Sequence, residues 1–252
     1  NCNNIKSHEP KPGDNVLTKA FFNNCDAFMV MSSIVEKDLK SLITKPKYAK
    51  SPHPIYEIFG DIVSKQTARN DLKLGNEKII LNFGLIRDYK GLDILIKAAK
   101  TIKSKIKNFK ILVVGECYGD EEKYLMLAKK HNVEDVFDFR FQFIPNEKVN
   151  HYFCASDFVV LPYRSATQSG IVPIAYNFNK PVIVSNVGGL PEVVKIGKSG
   201  FVCEPTSKDL SKTIINLLDN DLSSYNEFIS NYKTTFSWSS FTKNMLELIK
   251  ND

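Results

Sequence analysis

The chain has 252 residues, of which 43% are hydrophobic, and a formal net charge of +6. This length suits one large α/β domain with a smaller appendage, and no window approaches 18 uninterrupted apolar residues, so we expect no membrane span. The charge comes mostly from scattered lysines, which permit contact with an anionic lipid surface without requiring it. No basic run is interleaved with aromatic residues, which disfavours nucleic-acid binding.

The chain opens with a polar stretch that lacks methionine, which predicts no signal peptide and suggests a fragment of a longer protein. Five cysteines have irregular spacing without a CxxC motif, so we interpret them as reduced thiols of a cytoplasmic protein. They are Cys2, Cys25, Cys117, Cys154 and Cys203.

The first 55 residues differ from the rest. Residues 26–31 predict a buried strand, and Ser32 or Ser33 is placed to cap a helix that follows. The prolines within residues 51–54 then favour an extended segment. One strand and two helices cannot bury a core alone. We therefore interpret residues 1–55 as the end of a second α/β domain and its linker.

The middle of the chain alternates strand and helix patterns. The predicted strands are 78–83, 109–114, 136–141, 157–161, 181–185 and 201–204. The predicted helices are 91–106, 121–131, 146–155 and 170–178, with one or two helical turns at 190–195. Continuous apolar strands joined by helical crossovers indicate a parallel sheet covered on both faces. Residues 56–235 are thus expected to form a Rossmann-like, doubly wound α/β domain.

Two further helices are predicted after this sheet. Thr206 or Ser207 begins one of them, and Ser237 begins the other, whose apolar stripe starts with Trp238 and Phe241. We expect residues 236–252 to pack back toward the N-terminal domain.

The loop after the first strand of this domain contains two cations. Arg87 offers a forked contact to phosphate, and Lys90 supplies a mobile point charge. In an open α/β sheet such loops gather at the carboxyl edge, where ligands bind. From spacing alone, an ordinary solvent-exposed loop is an equally good interpretation.

A second polar loop leads into a predicted helix. Thr167, Gln168 and Ser169 are small or polar, and Gly170 lets the backbone approach a ligand at the helix start. Ordinary helix capping would use the same residues. Together the two loops suit an anionic diphosphate.

Several motifs follow one another in a specific order. They are Phe-Gly-Leu-Ile-Arg-Asp-Tyr-Lys-Gly-Leu-Asp at 83–93, Leu-Val-Val-Gly at 112–115, Ala-Ser-Asp-Phe-Val-Val-Leu-Pro at 155–162, Lys-Pro-Val-Ile at 180–183 and Val-Gly-Gly-Leu-Pro-Glu at 187–192. In this order the chain resembles the donor-binding half of retaining, two-domain (GT-B) glycosyltransferases of the family-4 type. The resemblance covers residues 78–218, and the N-terminal piece looks like the end of that family's acceptor domain.

The resemblance implies an enzyme that moves a sugar from a nucleotide diphosphate sugar to a glycan or lipid-linked acceptor with retention. It also implies a role in cell-surface polysaccharide synthesis, in the cytoplasm or at the inner face of the membrane. Arg87 and Lys90 would act in catalysis by neutralising the departing diphosphate. No metal ion or other cofactor is implied. The implied substrate contacts are Gly84, Gly115, Phe143, Thr167, Gln168, Ser169 and Gly170.

Two departures from the family leave other interpretations open. Glutamates that many relatives use are replaced by Ala166 and Ile174, and Leu85 stands where an arginine is common. Another enzyme of the same architecture, such as a sugar-nucleotide epimerase or a phosphorylase, is one alternative. A non-catalytic donor-binding or assembly subunit is the other.

Overall fold

The computed structural model describes residue 5 and residues 13–250, so Cys2 lies outside the described residues. Within that part, no helix has both the length and the apolar character needed to cross a bilayer. The helices are α1 Asp14–Phe22, α2 Ser33–Leu42, α3 Lys65–Leu72, α4 Leu92–Lys105, α5 Glu121–Lys130, α6 Asn146–Ala155, α7 Ile171–Asn177, α8 Ser207–Leu218, α9 Ser223–Tyr232 and α10 Trp238–Lys250. The strands are β1 Phe28–Val30, β2 Tyr48–Lys50, β3 Lys78–Phe83, β4 Phe109–Val114, β5 Phe137–Arg140, β6 Phe158–Leu161, β7 Val182–Ser185 and β8 Gly200–Cys203.

Six of the strands form one parallel sheet in the order β5-β4-β3-β6-β7-β8. The chain winds outward from β3 to β5 on one side and then from β6 to β8 on the other. Strands β3 and β6 lie side by side, with Ile80 opposite Phe158 and Leu81 opposite Val159. The order of the strands therefore reverses between β3 and β6, and the prediction of a doubly wound, Rossmann-like sheet is confirmed.

Alternate residues of each strand pack on opposite faces of this sheet. Helices α4, α5 and α8 cover one face, where Ile80 and Ile111 are buried. Helices α3, α6, α7 and α9 cover the other, where Leu81 and Leu112 are buried. Burial on both faces explains why the inner strands are mostly continuous apolar runs, whereas edge strand β5 alternates phenylalanine with charged residues.

Helices α3 and α9 and strand β2 are among the elements that were not predicted. Helix α3 has two apolar residues in eight, so it shows almost no apolar stripe, and Ser64 caps it. Strand β2 is three residues long and only half-buried. Both helices predicted after the sheet are present, as α8 and α10, but α9 lies between them and was not predicted. Its Tyr232 packs against Tyr176 of α7 and against Phe236.

The N-terminal unit contains a small parallel sheet of β1 and β2. Helix α2 covers one side of it, and its Val35 and Leu39 are fully buried. Helix α10 covers the other side, where Phe241 contacts Met29 and Met31. The C-terminal helix thus leaves the larger sheet and completes the core of the smaller unit.

Candidate functional site

The loops that follow β3 and β6 meet at the point where the strand order reverses. In doubly wound sheets this crevice, outside the carboxyl ends of the strands, is where ligands bind. The loop after β3 comprises residues 84–91 and the loop after β6 comprises residues 162–170. We call them the first and the second loop.

Lys90 of the first loop extends toward the second loop and α7. Its Nζ lies 3.5 Å from the position that a Cβ would take on Gly84, and Ile171 Cδ1 lies 3.2 Å from the same position. The ammonium also lies 5.5 Å from the ring centroid of Tyr163. Burial and, to a smaller extent, the nearby Arg87 guanidinium lower the pKa of Lys90 to about 8. A desolvated cation is therefore held next to the start of α7.

Arg87 lies on the other side of the first loop. Its Cζ stands 4.6 Å from the centroid of the Tyr118 ring, a cation–π contact with the loop after β4. Ile86 ties the first loop to the loop after β4. Its N–H donates to Glu116 O at 2.8 Å, and its carbonyl accepts from the Tyr118 N–H at 2.9 Å. The predicted cation pair thus borders one crevice, with Arg87 toward β4 and Lys90 toward β6.

The second loop brings polar groups to the start of α7. Ser169 Oγ accepts a hydrogen bond from the Ile171 N–H at 3.2 Å and is also hydrogen-bonded to the Tyr163 hydroxyl. The amides of Ser169 and Gly170 donate to no backbone carbonyl within the described part of the chain. The Oε1 of Gln168 is buried and accepts no hydrogen bond from any described residue. Thr167 is buried.

A cavity of about 180 Å³ adjoins the first loop. Gly84 and Gly115 line this cavity. A Cβ on Gly115 would lie 2.3 Å from Gly84 O, so only glycine at 115 allows the loop after β4 to pack this closely against the first loop. Phe143 is 67% exposed at its edge. The cavity thus brings together three of the substrate contacts that the family resemblance implies, Gly84, Gly115 and Phe143, and their roles stay predictions. The remaining lining residues are Phe59, Phe83, Leu85, Glu116, Gln142, Ile144, Asn146 and Val149.

Arg164, which was not among the predicted site residues, binds the first loop from the second loop. Its N–H donates to Tyr89 O at 2.7 Å, and its guanidinium donates to Asp88 O at 2.7 Å. The same guanidinium contacts the Asp93 carboxylate in the first turn of α4 at 2.7 Å. A cation beside Pro162 in the second loop was the only sequence signal for this contact.

The two positions without family glutamates are both buried. Ile174 is part of the hydrophobic core, and the Ala166 carbonyl lies where a Cβ on Gly188 would fall. Leu85, which replaces the common arginine, is 40% exposed and lines the cavity by the first loop. Apolar side chains therefore replace charged ones at all three positions.

The N-terminal unit reaches the second loop. Met31 and His53 line a cavity of about 10 Å³ together with Gln168 and Ser169. His53 is hydrogen-bonded to Pro54 O at 2.7 Å, and burial lowers its pKa. One wall of the crevice thus comes from the smaller unit.

One Asp-x-Asp pair occurs in the chain, Asp219 and Asp221, in the connection between α8 and α9. Asp221 accepts hydrogen bonds from Ser223, and these, with the charge of Lys78, lower its pKa. Lys78 begins β3, so the pair lies at the amino edge of the sheet, opposite the crevice. Among the described residues, no three histidine, cysteine or carboxylate side chains are grouped as metal ligands.

The sequence and the fold were compared with those of known proteins. The sequence model of "Glycosyl transferases group 1" matches residues 64–235. An uncharacterized glycosyltransferase of Haemophilus influenzae is 30% identical over 156 residues, which cover 61% of this chain and 42% of the relative.

Two solved structures share the fold. HepE of Anabaena superposes with a TM-score of 0.82 at 18% identity, covering 99% of this chain and 71% of HepE. Sucrose-phosphate synthase of Thermosynechococcus elongatus gives a TM-score of 0.81 at 22% identity, covering 96% of this chain and 62% of that enzyme. At these identities the likeness concerns the fold alone.

The chain spans about half the length of the curated relatives it matches, between 39% and 55% of each. The resemblance to glycosyltransferases of the GT-B architecture is confirmed. Because the family match covers more than half of its residues, the chain belongs to the glycosyl transferases group 1 family.

Proposed function

We propose that the crevice between β3 and β6 binds a nucleotide diphosphate sugar, and that the protein transfers the sugar to a glycan or lipid-linked acceptor with retention of configuration. The described chain supplies the donor side of this reaction. We further propose a role in cell-surface polysaccharide synthesis, carried out in the cytoplasm or at the inner face of the membrane. No metal or other cofactor enters the proposal.

The observation that supports the proposal is the juxtaposition of Lys90, Gly84 and Ile171. It places the Lys90 ammonium beside Gly84, at the end of β3, and near the Ile171 side chain, at the start of α7. Gly84 leaves space beside the ammonium, because its missing side chain would fall between Lys90 and Ile171. A diphosphate laid along this space would meet the Lys90 charge from one side and the Ser169 and Gly170 amides from the other.

These groups favour bond cleavage by stabilising the leaving group. Negative charge accumulates on the nucleoside diphosphate as the bond to the sugar breaks. Cations and amides fixed in place before the reaction stabilise that charge in a site of low polarity. Loss of one such donor typically lowers turnover by about 10²–10³-fold. Arg87, held against Tyr118, would contribute from the β4 side of the same crevice.

Relatives of the same fold support a nucleotide donor. HepE of Anabaena has been solved with UDP and with UDP-glucose. In the present chain the cavity of about 180 Å³ beside Gly84 and Gly115 would receive the base. Its volume and its mixture of apolar and polar walls suit a flat heterocycle.

Calorimetric titration with UDP, GDP and ADP tests the donor site. We expect one of them to bind the chain, and Lys90→Ala to weaken that binding at least tenfold because it removes a desolvated charge from the phosphate site. Lys97→Ala is the matched control, since Lys97 is exposed on α4 and pairs only with Asp93 among the described residues. Absence of binding by all three nucleotides would refute the donor site.

Transfer is tested with the nucleotide that binds. Release of free nucleoside diphosphate from its sugar conjugate, dependent on added acceptor, is expected for a transferase, whereas an epimerase would release it without one. Proton NMR of the product would give the anomeric configuration, and inversion would contradict the proposed retention.

A further inference from the structure

We propose that Arg164 is a positioning residue, which holds the Lys90 loop in the geometry that the donor diphosphate needs. This inference rests on the proposed function of the crevice. Arg164 does not itself face the space beside Gly84. It acts on Lys90 through the backbone of the first loop.

The contacts of Arg164 surround the short 3-10 helix Asp88–Lys90. Its backbone N–H binds Tyr89 O, and its guanidinium binds Asp88 O, so two successive carbonyls are fixed from the second loop. The other terminal guanidinium nitrogen binds the Asp93 carboxylate, which is 17% exposed. We call this set of contacts the Arg164 clamp. It connects the end of β6, the first loop and the start of α4.

The clamp acts together with other contacts of the same segment, since the Asp88 carboxylate accepts hydrogen bonds from Lys123 at 2.6 Å and from Tyr124 at 3.2 Å. Gly91, directly after Lys90, has a φ of +69°, and a Cβ there would lie 2.0 Å from Pro162 O. The first loop is therefore pressed against the second at Gly91 and is tied to it by Arg164. Planar guanidinium can bind a carbonyl and a carboxylate at once, which a lysine ammonium does with less directional control.

Tyr163 connects the second loop to the Lys90 ammonium. It precedes Arg164, its ring lies under the Lys90 ammonium, and its hydroxyl is hydrogen-bonded to Ser169. Two consecutive residues thus act on the first loop. Tyr163 contacts the Lys90 side chain, and Arg164 binds the backbone carbonyls of Asp88 and Tyr89. A shift of the clamp would separate Lys90 from Tyr163 and expose the ammonium to water.

The surroundings of Lys90 make this exposure measurable. The Arg87 guanidinium acts on it from the same loop, and the Tyr163 ring, whose hydroxyl is hydrogen-bonded to Ser169, lies beside it from the second loop. Gly84 and Ile171, from the end of β3 and the start of α7, bring no titratable group. Since burial is the main cause of the low Lys90 pKa of about 8, loosening the loop raises that pKa.

The first experiment needs no ligand. The pKa of Lys90 is measured by ¹³C NMR of lysine Cε in the labelled chain, with Lys90→Arg for assignment. We expect a rise of about one pH unit or more in Arg164→Gln, Arg164→Lys and Asp93→Ala, because each removes or distorts side-chain contacts of the clamp. Lys97→Ala, which removes the exposed partner of Asp93, is expected to leave the value unchanged. Circular dichroism verifies that each variant is folded.

These variants separate geometry from simple charge effects. Removing the Asp93 carboxylate would by charge alone lower the Lys90 pKa, and Arg164→Lys would by charge alone leave it unchanged. A fall in Asp93→Ala together with no change in Arg164→Lys would overturn the proposal. So would an unchanged pKa in all three variants.

The second experiment uses UDP as the probe. At pH 7 we expect Arg164→Gln to weaken UDP binding by about 10–100-fold, as for other small displacements of catalytic groups. Binding unchanged by Arg164→Gln would also overturn the positioning role. If the unmodified chain fails to bind UDP, GDP and ADP, the proposed function fails, while the NMR result still decides whether Arg164 positions Lys90.

Discussion

The Glu192 carboxylate accepts two hydrogen bonds from the backbone N–H of Ser33, at 2.8 and 3.0 Å. Ser33 is the first residue of α2 in the N-terminal unit, whereas Glu192 follows β7 of the large sheet. Lys50 Nζ, at the end of β2, completes the contact at 2.9 Å from Glu192. A carboxylate at a helix N-terminus is stabilising, and here it joins the two units beside the crevice.

We expect Glu192→Ala to destabilise the chain by about 1–2 kcal/mol, because it leaves the first amide of α2 without its acceptor and removes a charge-assisted contact. Urea unfolding followed by circular dichroism measures this change. Glu247→Ala, on the exposed face of α10, is the control, and we expect it to change the free energy of unfolding by less than about 0.5 kcal/mol. Equal midpoints for the two variants would show that Glu192 does not stabilise the junction.

A second expectation concerns the cost of burying Lys90. Its pKa is lowered from 10.5 to about 8 in the folded chain, so the unfolded state binds the proton more tightly. This penalty is fully present below pH 8 and disappears as the pH rises through 10.5. Lys90→Met should therefore stabilise the chain by about 1–3 kcal/mol at pH 7 and by much less at pH 10.5.

The measurement is thermal unfolding of both chains across this pH range. Lys97→Met serves for comparison, because Lys97 is 46% exposed and its substitution should not change stability in a pH-dependent way. A stability difference for Lys90→Met that is constant with pH would mean that desolvation of the ammonium is not its cause.

The pH dependence of nucleotide affinity should also report the charge of Lys90. Above pH 8, Lys90 loses its charge in the free chain, and we expect UDP affinity to decline by up to about tenfold per pH unit. In Lys90→Arg the charge persists, so the decline should be absent even if the affinity at pH 7 is lower. Calorimetry between pH 7 and 9.5 tests this, and a flat profile for the unmodified chain would argue against a role for the Lys90 charge.

Two glycines with nearly equal backbone angles allow a matched test of the crevice. Gly91 has a φ of +69° and Gly197 one of +73°, but only at Gly91 would a Cβ meet other atoms, 2.0 Å from Pro162 O. We expect Gly197→Ala to cost about 1 kcal/mol from backbone strain alone. Gly91→Ala should cost about 2–4 kcal/mol and should also abolish nucleotide binding, because the two loops must separate. Similar affinities in both variants would contradict this account.

Much of the large sheet could be predicted from local sequence. Strands β3 and β4 begin and end where predicted, since buried parallel strands are apolar throughout and stop at glycine or polar residues. Helix α6 also matches its predicted bounds. Helices α3 and α9 could not be predicted in the same way, because α3 is mostly polar and α9 is stabilised by aromatic contacts with distant residues.

Some features of the candidate site were likewise determined by the local sequence and others by the packing of the strands. Arg87 and Lys90 occur within one short loop, so their proximity is a local property that the sequence alone determined, as was the chemistry of the second loop. Their meeting with Tyr163 and Ile171 depends on β3 pairing with β6, and the sequence cannot choose that neighbour because β4, β6 and β7 are similarly apolar. The Arg164 clamp likewise exists only in the folded chain. Packing of the strands decided which loops share a crevice, and the side chains contributed the charge.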